Sequence, residues 1–241
     1  MSPSLARQWR LFLDESCWRL QVGRLEHTVA VGDDAALALA RIPMLGDAPR
    51  RGDLEVEIGD GHLRYLVIDW PTGLSGRAER RAWVVERFRS VHAIEEEGWV
   101  ISVDDNGHVA SALCCAVPLT LVDAVKRFEH EHRLRIVTFT GSFMLAYNRL
   151  PAQATTGLGA LALRCGRRLT LGVWNQDRWR RVLGFSAGAD AAMSLSRALS
   201  TSLAALALET SASNTALLHV DGIDPGFLPT GWQLAPVRGV K

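Results

Sequence analysis

Two stretches of the chain repeat one order of elements, a meander of three short strands followed by a helix. In the first stretch the alternating segments are Arg10–Asp14, Trp18–Val22 and Glu26–Val31. In the second stretch they are Leu158–Arg164, Leu169–Trp174 and Trp179–Phe185, followed by a helix near Asp190–Glu209 and a strand at Ala216–Val220. Alternation with a period of two is typical of half-buried strands. The repeated order predicts an α/β fold in which helices cover mixed sheets.

The region between the two meanders predicts further elements. Asp33 or Asp34 can cap a short helix through Ala40, and Asp60-Gly61 predicts a two-residue hairpin turn after the strand Leu54 to Ile58. Apolar residues at helical spacing (Ala78, Ala82, Val85 and Phe88) predict a helix with Ser75 as its N-cap. A second hairpin joins Trp99–Val103 to His108–Val117 through Asn106-Gly107, and Pro118 then introduces a helix, a strand and a short helix ended by Pro151.

Composition limits the classes of function. The chain has 241 residues, enough for one large domain or two small ones, and the turn formers from Pro151 to Gly157 predict a boundary between residues 1–150 and 151–241. Lys+Arg 27 against Asp+Glu 26 argues against a dedicated nucleic-acid binder. The four cysteines show no CxxC spacing, which favours a reducing cytoplasm, and we expect Cys114 and Cys115 to be buried on opposite faces of a strand.

The amino-acid sequences of several segments resemble those of a known family. The segments RYLVIDWP, WVISVDDNGHVASALCCAVPLTLVDAVKRF and LRIVTFTGSFMLAYNRL resemble the cytoplasmic actin-like proteins of type IV pilus and type II secretion inner-membrane platforms, the PilM-like and GspL-like proteins. GALALRCGRRLTLGVWNQDRW looks like the start of that family's second subdomain, and ALLHVDGIDPG looks like its approach to the adenosine. The resemblance implies an actin-like, ribonuclease H-like fold with duplicated subdomains around a cleft.

The nucleotide-binding positions depart from the family pattern. Actin-like ATPases commonly carry an aspartate and glycines in both hairpins, where backbone N–H groups approach the phosphates. The first turn here keeps Asp14 without the glycines, and the second has no aspartate, although Arg167 and Arg168 near its turn can hold phosphate. Gly222 in the third element is retained. These four residues are the candidate cofactor-binding residues, and we expect no bound cofactor, with ATP and Mg²⁺ as the alternative.

Other constellations point to chemistry less clearly. A nucleophilic site could combine Cys114 or Cys115 with His108 and Asp123, but no nucleophile-elbow motif surrounds either cysteine, so we expect no catalytic residue. His130 and His132 are two residues apart, a spacing that directs them to different faces of a helix, so we expect no metal site. Tryptophans near strand ends predict core packing. The alternative is a partner surface in which Trp179 lies among Arg178, Arg180 and Arg181.

These observations predict a non-catalytic adaptor or scaffold. The resemblance implies a protein that docks on the cytoplasmic segment of an inner-membrane pilus or secretion protein, with a peptide bound in the cleft between its halves. No window approaches the roughly 18 apolar residues needed to span a bilayer, so we expect a cytoplasmic protein that is peripheral to the inner membrane and reaches it only through the partner. The alternatives are an ATP-binding switch or weak ATPase of the same fold, and a globular protein whose two strand-helix units are unrelated.

Overall fold

The computed structural model describes residues 8–31, 39, 52–74, 76–104, 111–188, 190–206, 216–224, 228 and 230–236. Its strands, in chain order, are β1 Trp9–Leu13, β2 Cys17–Val22, β3 Leu25–Ala30, β4 Gly52–Ile58, β5 Arg64–Asp69, β6 Trp99–Asp104, β7 Ser111–Pro118, β8 Leu134–Gly141, β9 Gly159–Cys165, β10 Arg168–Asn175, β11 Arg178–Ser186, β12 Ala216–Asp221 and β13 Trp232–Pro236. The helices are α1 Arg77–His92, α2 Leu119–His132, α3 Ser142–Asn148 and α4 Ala191–Ala205. Short 3₁₀ turns occupy Glu96–Gly98 and Ala152–Ala154.

Two five-stranded sheets have the same topology. The first has the order β3-β2-β1-β4-β8 and the second the order β11-β10-β9-β12-β13. In each, three antiparallel strands form a meander, and the first strand of the meander then pairs in parallel with a strand from later in the chain. The outermost pair, β4 with β8 or β12 with β13, is also parallel. The repeated meander predicted from the sequence is thus a repeated sheet.

A small third sheet is inserted between β4 and β8. It has the order β5-β7-β6, and both of its pairings are antiparallel. Helix α1 covers one face through Val84 and Phe88, which pack with Ile101, Ala112 and Cys114. The other face packs on the first sheet, and strand β5 lies alongside β11 of the second sheet.

One hydrophobic core joins the two halves. Trp9, Leu11 and Leu13 of β1 contribute one face of the first sheet, and Leu161 and Trp174 come from the second sheet. Those five side chains are at most 1% exposed. A separate cluster lies between the far face of the second sheet and α4, whose Leu195 and Leu199 are buried. The helix predicted near Asp190–Glu209 therefore packs on this sheet through one apolar face.

Most predicted elements are confirmed, and two predictions are wrong. Asp60-Gly61 is not a hairpin turn, because β4 lies between β1 and β8 while β5 belongs to another sheet. Helix α1 forms where expected, but Ala78 and Ala82 are exposed and Val84 is buried in their place.

Other sequence predictions concern cysteines and residues without a described structure. Cys114 is buried under α1, and Cys115 lies on the opposite face, as predicted. The predicted cap Ser75, the turn Asn106-Gly107, His108 and the short helix from Asp33 or Asp34 lie outside the described residues, apart from the buried helical residue Leu39. Helix α1 has Gly76 as its N-cap residue. The boundary between residues 1–150 and 151–241 stays a prediction, although each sheet uses strands from one side of Pro151.

Candidate functional site

The turns that begin the two repeated sheets meet each other directly. Asp14, in the turn between β1 and β2, is 7% exposed, and its Oδ1 accepts a hydrogen bond from the Cys165 thiol at 3.4 Å. Cys165 ends β9, so this contact joins the first turn of one half to the first turn of the other. Burial raises the pKa of the Cys165 thiol to about 12, and the Asp14 carboxylate contributes to that rise, so the thiol stays protonated and can donate. The two hairpin turns that the sequence resemblance associated with phosphate are here in direct contact with each other.

Two glycines allow this close approach. A Cβ atom on Gly59 would lie 2.9 Å from Asp14 Oδ1 and 3.1 Å from the Leu13 carbonyl oxygen. Gly166, in the turn between β9 and β10, has a φ of +57°, and a Cβ there would lie 3.3 Å from Asp14 Oδ2. These distances show that the backbones around Asp14 leave little unfilled space.

A second carboxylate, that of Asp60, is also buried between the two halves. It is 1% exposed, and its Oδ1 accepts hydrogen bonds from the Tyr65 hydroxyl at 2.9 Å and from the Phe143 backbone N–H at 3.2 Å. Burial raises the pKa of Asp60 to about 6, while the hydrogen bonds from Tyr65, Phe143 and the Thr170 hydroxyl oppose that rise. Thr170 belongs to β10, so Asp60 interacts with groups on both sides of the interface.

Aromatic side chains fill the interface behind Asp60. The ring centroids of Tyr147 and Trp179 are 4.4 Å apart, and Phe143 and Trp179 are 5.6 Å apart. Trp174 meets Tyr147 edge-on at 5.4 Å and donates its indole N–H to the Ala154 carbonyl. Trp9, Trp18 and Trp174 are fully buried and Trp232 is 6% exposed, which confirms that these tryptophans pack in the core. Next to Asp60, these aromatic side chains therefore fill the space where a cleft between the halves was expected.

The four candidate cofactor-binding residues, Asp14, Arg167, Arg168 and Gly222, lie in or beside turns at the ends of strands β1, β9, β10 and β12. Arg167 is exposed in the turn between β9 and β10, and its carbonyl accepts a hydrogen bond from Ala187 N–H. Arg168 lies over Gly184 of β11. Gly222 follows β12 with a φ of +71°, where a Cβ would lie 3.0 Å from the Arg164 carbonyl oxygen. In the part of the chain that the structure describes, no group of three or more acidic, His or Cys side chains is arranged to hold a metal ion.

A groove of about 520 Å³ lies on another part of the first half, between the small sheet and β8. Its walls come from both sheets, and α2 and α3 contribute Val122 and Met144. Most of the lining side chains are apolar, and they include Ile58, Leu63, Val100, Val117, Ile136 and Phe139. The lining includes one charged side chain, Lys126 of α2. Apolar walls with few polar groups are typical of ligand-binding and peptide-binding grooves.

Two outermost strands border this groove. Among the described strands, β6 ends the order of the small sheet and β8 ends the order of the first sheet. Apolar side chains on these strands are unusually exposed: Val100 38%, Val137 44% and Phe139 37%. The Ile136 N–H of β8 is capped by a Glu129 carboxylate oxygen at 2.9 Å. Outermost strands present backbone groups that can pair with an extended segment.

Sequence reasoning did not find either the Asp60 network or the groove. The signal for the first is Gly59-Asp60-Gly61 after a strand, which we interpreted as a hairpin turn. The groove has no local signal, since its lining residues come from seven elements that are distant in sequence.

Comparison with solved structures identifies the fold of this chain. A Bacteroides thetaiotaomicron protein described as having an actin-like ATPase fold and unknown function matches with a TM-score of 0.59 at 9% identity, over 91% of this chain and 83% of that one. The chain has an actin-like fold. This confirms the α/β fold with mixed sheets that the repeated meander predicted and the actin-like fold that the resemblance implied, and it excludes two unrelated strand-helix units.

Two further solved structures belong to the systems suggested by the sequence. The PilM–PilN type IV pilus biogenesis complex matches with a TM-score of 0.63 at 11% identity, over 98% of this chain and 89% of that one. The cytoplasmic domain of EpsL, an inner-membrane component of the Vibrio cholerae type II secretion system, matches with a TM-score of 0.53 at 16% identity, over 95% and 85%. The predicted resemblance to these platform proteins is confirmed at the level of the fold. No protein-family profile and no curated sequence matches the chain.

Proposed function

We propose that this protein is a non-catalytic actin-like adaptor or scaffold of a type IV pilus or type II secretion inner-membrane platform. The observation that carries the proposal is the apolar groove between the small sheet and β8, with exposed Val100 and Phe139 on the two outermost strands. The occupant is a short extended segment from the cytoplasmic part of an inner-membrane pilus or secretion protein. The adaptor itself works in the cytoplasm and reaches the membrane through that partner. No described helix is long and apolar enough to cross a membrane.

The chemistry of the groove supports a peptide with aliphatic side chains. Its walls are aliphatic and aromatic, so burial of partner side chains supplies most of the favourable free energy. Backbone groups of β6 or β8 can hydrogen-bond an extended segment, which supplies direction and register. Lys126 favours an acidic group at one end of the bound segment. The PilM–PilN structure, in which a protein of the same fold forms a complex, supports this type of partner.

Two observations support the non-catalytic part of the proposal. The Cys165 thiol occupies the neighbourhood of Asp14 where a phosphate would need backbone N–H groups. Asp14 is also closely packed by Gly59 and Gly166, which leaves little space beside its carboxylate. The groove, and not the space between the halves, is therefore the better location for the partner segment.

The groove is tested with fluorescently labelled peptides that tile the cytoplasmic segments of inner-membrane pilus and secretion proteins from the same organism. Binding to the full chain is measured by anisotropy, with Val100→Asp in the groove and Leu25→Asp as the control. Leu25 is 52% exposed on β3, an outermost strand away from the groove, so both changes place a charge on an exposed apolar position. We expect Val100→Asp to weaken binding at least about tenfold and Leu25→Asp to leave it unchanged. Equal binding by the two variants, or no peptide bound by the wild type, would refute the proposed groove.

The non-catalytic part has a separate test. Isothermal titration of the chain with ATP and Mg²⁺, with Arg167→Ala beside the wild type, should give no heat of binding. Tight binding that is lost in Arg167→Ala would support the ATP-binding switch instead. A hundredfold excess over the dissociation constant would also raise the free energy of unfolding by about 2.7 kcal/mol in a thermal melt.

A further inference from the structure

A second groove, of about 480 Å³, lies on the outer side of helix α1, between the helix and the turn that follows it. Its floor is an apolar strip of Ala78, Ala82 and Val85, which the sequence pattern assigned to the core. Ala78 and Ala82 are exposed, because α1 packs on the small sheet through a different side that carries Val84 and Phe88. In the described part of a single copy of the chain, this strip faces solvent.

The two walls of this α1 groove carry opposite charges. The turn contributes three consecutive glutamates, Glu95–Glu97, whereas α1 contains five arginines and two glutamates. Arg81 Nη2 lies 2.7 Å from Glu96 Oε1, so the turn is joined to the helix, and both side chains are about half exposed. Among the described residues, neither Glu95 nor Glu97 is in a salt bridge. The acidic wall therefore favours a basic occupant whose apolar side chains can reach the strip.

A second copy of α1 has both properties. The α1 residues that line the groove are symmetric in number about the midpoint between positions 82 and 85, and they are Ala78, Arg81, Ala82, Val85, Glu86 and Arg89. In an antiparallel pair of α1 helices with a two-fold axis at this midpoint, Ala82 of one copy is level with Val85 of the other, and Ala78 is level with Arg89. The methylene groups of Arg89 can cover Ala78, and each acidic turn borders the arginine-rich helix of the other copy.

This arrangement covers both apolar strips and brings opposite charges together across the contact. We propose that the protein forms a homodimer through α1 and the acidic turn Glu95–Glu97. The contact is isologous, because the same surface is used by both copies.

The dimer goes beyond the proposed adaptor function and does not depend on it. Helix α1 covers the face of the small sheet that carries Ile101, whereas Tyr65 and Val100 line the partner groove on the opposite face. Dimerisation through α1 therefore leaves the partner groove of each copy open. Two open grooves on one particle would raise the avidity for partner segments that are themselves clustered.

The test is sedimentation velocity of the full chain at concentrations up to about 100 µM, a range that detects dimers with micromolar dissociation constants. Ala82→Glu places an acid in the strip, and Ala204→Glu is the matched control, because Ala204 is an exposed alanine of α4. We expect the wild type to dimerise. Ala82→Glu should raise the dissociation constant of the dimer at least about tenfold, and Ala204→Glu should leave it unchanged.

A third variant, Ala82→Arg, separates loss of this contact from a general effect of the substitution. The two-fold axis passes close to position 82, so the two substituted side chains of a dimer lie near each other. An equimolar mixture of Ala82→Glu and Ala82→Arg should therefore associate more tightly than either variant alone. The proposal is overturned if the wild type stays monomeric at about 100 µM, if Ala82→Glu and Ala204→Glu have the same effect, or if the mixture associates no more tightly than its components.

Discussion

Replacement of Asp60 by asparagine should change how the stability of this protein depends on pH. Asp60 is 1% exposed, and burial raises its pKa from the ordinary 3.8 to about 6. The folded state therefore binds a proton more tightly than the unfolded state does. The stability that comes from this proton is fully present below pH 3.8 and is lost as pH rises through about 6. Above pH 6 the folded protein holds a buried charge, and asparagine removes it.

The magnitude follows from the two pKa values. The difference between 3.8 and about 6, at about 1.4 kcal/mol per pH unit, makes the folded wild type about 3 kcal/mol less stable at pH 7.5 than at acidic pH through this group. An asparagine side chain at this position can still accept the hydrogen bonds of Tyr65 and Phe143 through its carbonyl oxygen. Any loss of packing or hydrogen bonding caused by the amide changes the free energy of unfolding by the same amount at every pH. The difference in unfolding free energy between Asp60→Asn and wild type should therefore move by about 3 kcal/mol in favour of the variant from acidic pH to pH 7.5.

Urea unfolding followed by tryptophan fluorescence measures this difference at pH 4, 5, 6 and 7.5, and the eight tryptophans provide the signal. Subtracting the variant from the wild type at each pH cancels the titration of every other group that the substitution leaves unchanged. Glu57→Gln is a suitable companion, because Glu57 raises the pKa of Asp60 and should give a smaller change of the same sign. A difference that stays constant with pH, or that favours the wild type as pH rises, would show that Asp60 is ionised at low pH and that the reasoning is wrong.

Three further substitutions test the packing between and within the halves. Trp174→Ala should lower the free energy of unfolding by about 3–5 kcal/mol in urea unfolding, because the side chain is fully buried among aromatic rings. Trp174→Phe keeps most of the side-chain volume but loses the indole hydrogen bond, so comparison of the two variants separates the two effects. Gly166→Ala should cost about 1–2 kcal/mol, since its φ of +57° lies in the left-handed region, and a thermal melt that matches wild type would contradict this turn geometry. Asp190→Ala should cost about 1 kcal/mol, because Asp190 Oδ1 accepts the Met193 N–H at 2.8 Å as the N-cap of α4; Asp190→Asn should retain most of that stability.

Local patterns predicted the strands and helices of this fold because those elements are determined by nearby residues. The alternation in Arg10–Asp14 reflects the one buried face of β1, and the helix after Pro118 shows its apolar stripe directly in the sequence. Leu169–Trp174 was also predicted as a strand, although β10 is buried on both faces. Strand β13 was not predicted. The parallel pairing of β1 with β4 could also not be predicted from the sequence, because parallel strands are joined by long connections and no local turn determines which strands pair.

The candidate site was less predictable for a related reason. Gly59-Asp60-Gly61 has the composition of a turn, and only the tertiary structure shows that Asp60 meets Tyr65 and Phe143. Asp14 was identified correctly as a residue of the first hairpin, but its partner Cys165 is 151 positions away in the chain. A buried polar contact between two hairpins leaves no periodic signal in either one.

The location of the groove has a consequence for the proposed adaptor function. In this chain the contact of Asp14 with Cys165 and the rings of Tyr147 and Trp179 tie the two halves together, so any opening between them would separate a hydrogen bond and buried aromatic surface at once. The groove is built within the first half, from the small sheet, α2, α3 and the last strands of the first sheet. A partner segment can therefore bind there without moving one half against the other. The hydrogen bonds that Asp60 accepts from Tyr65 and Phe143 also hold the end of β4, β5 and α3 together, and all three elements contribute residues to the lining of the groove.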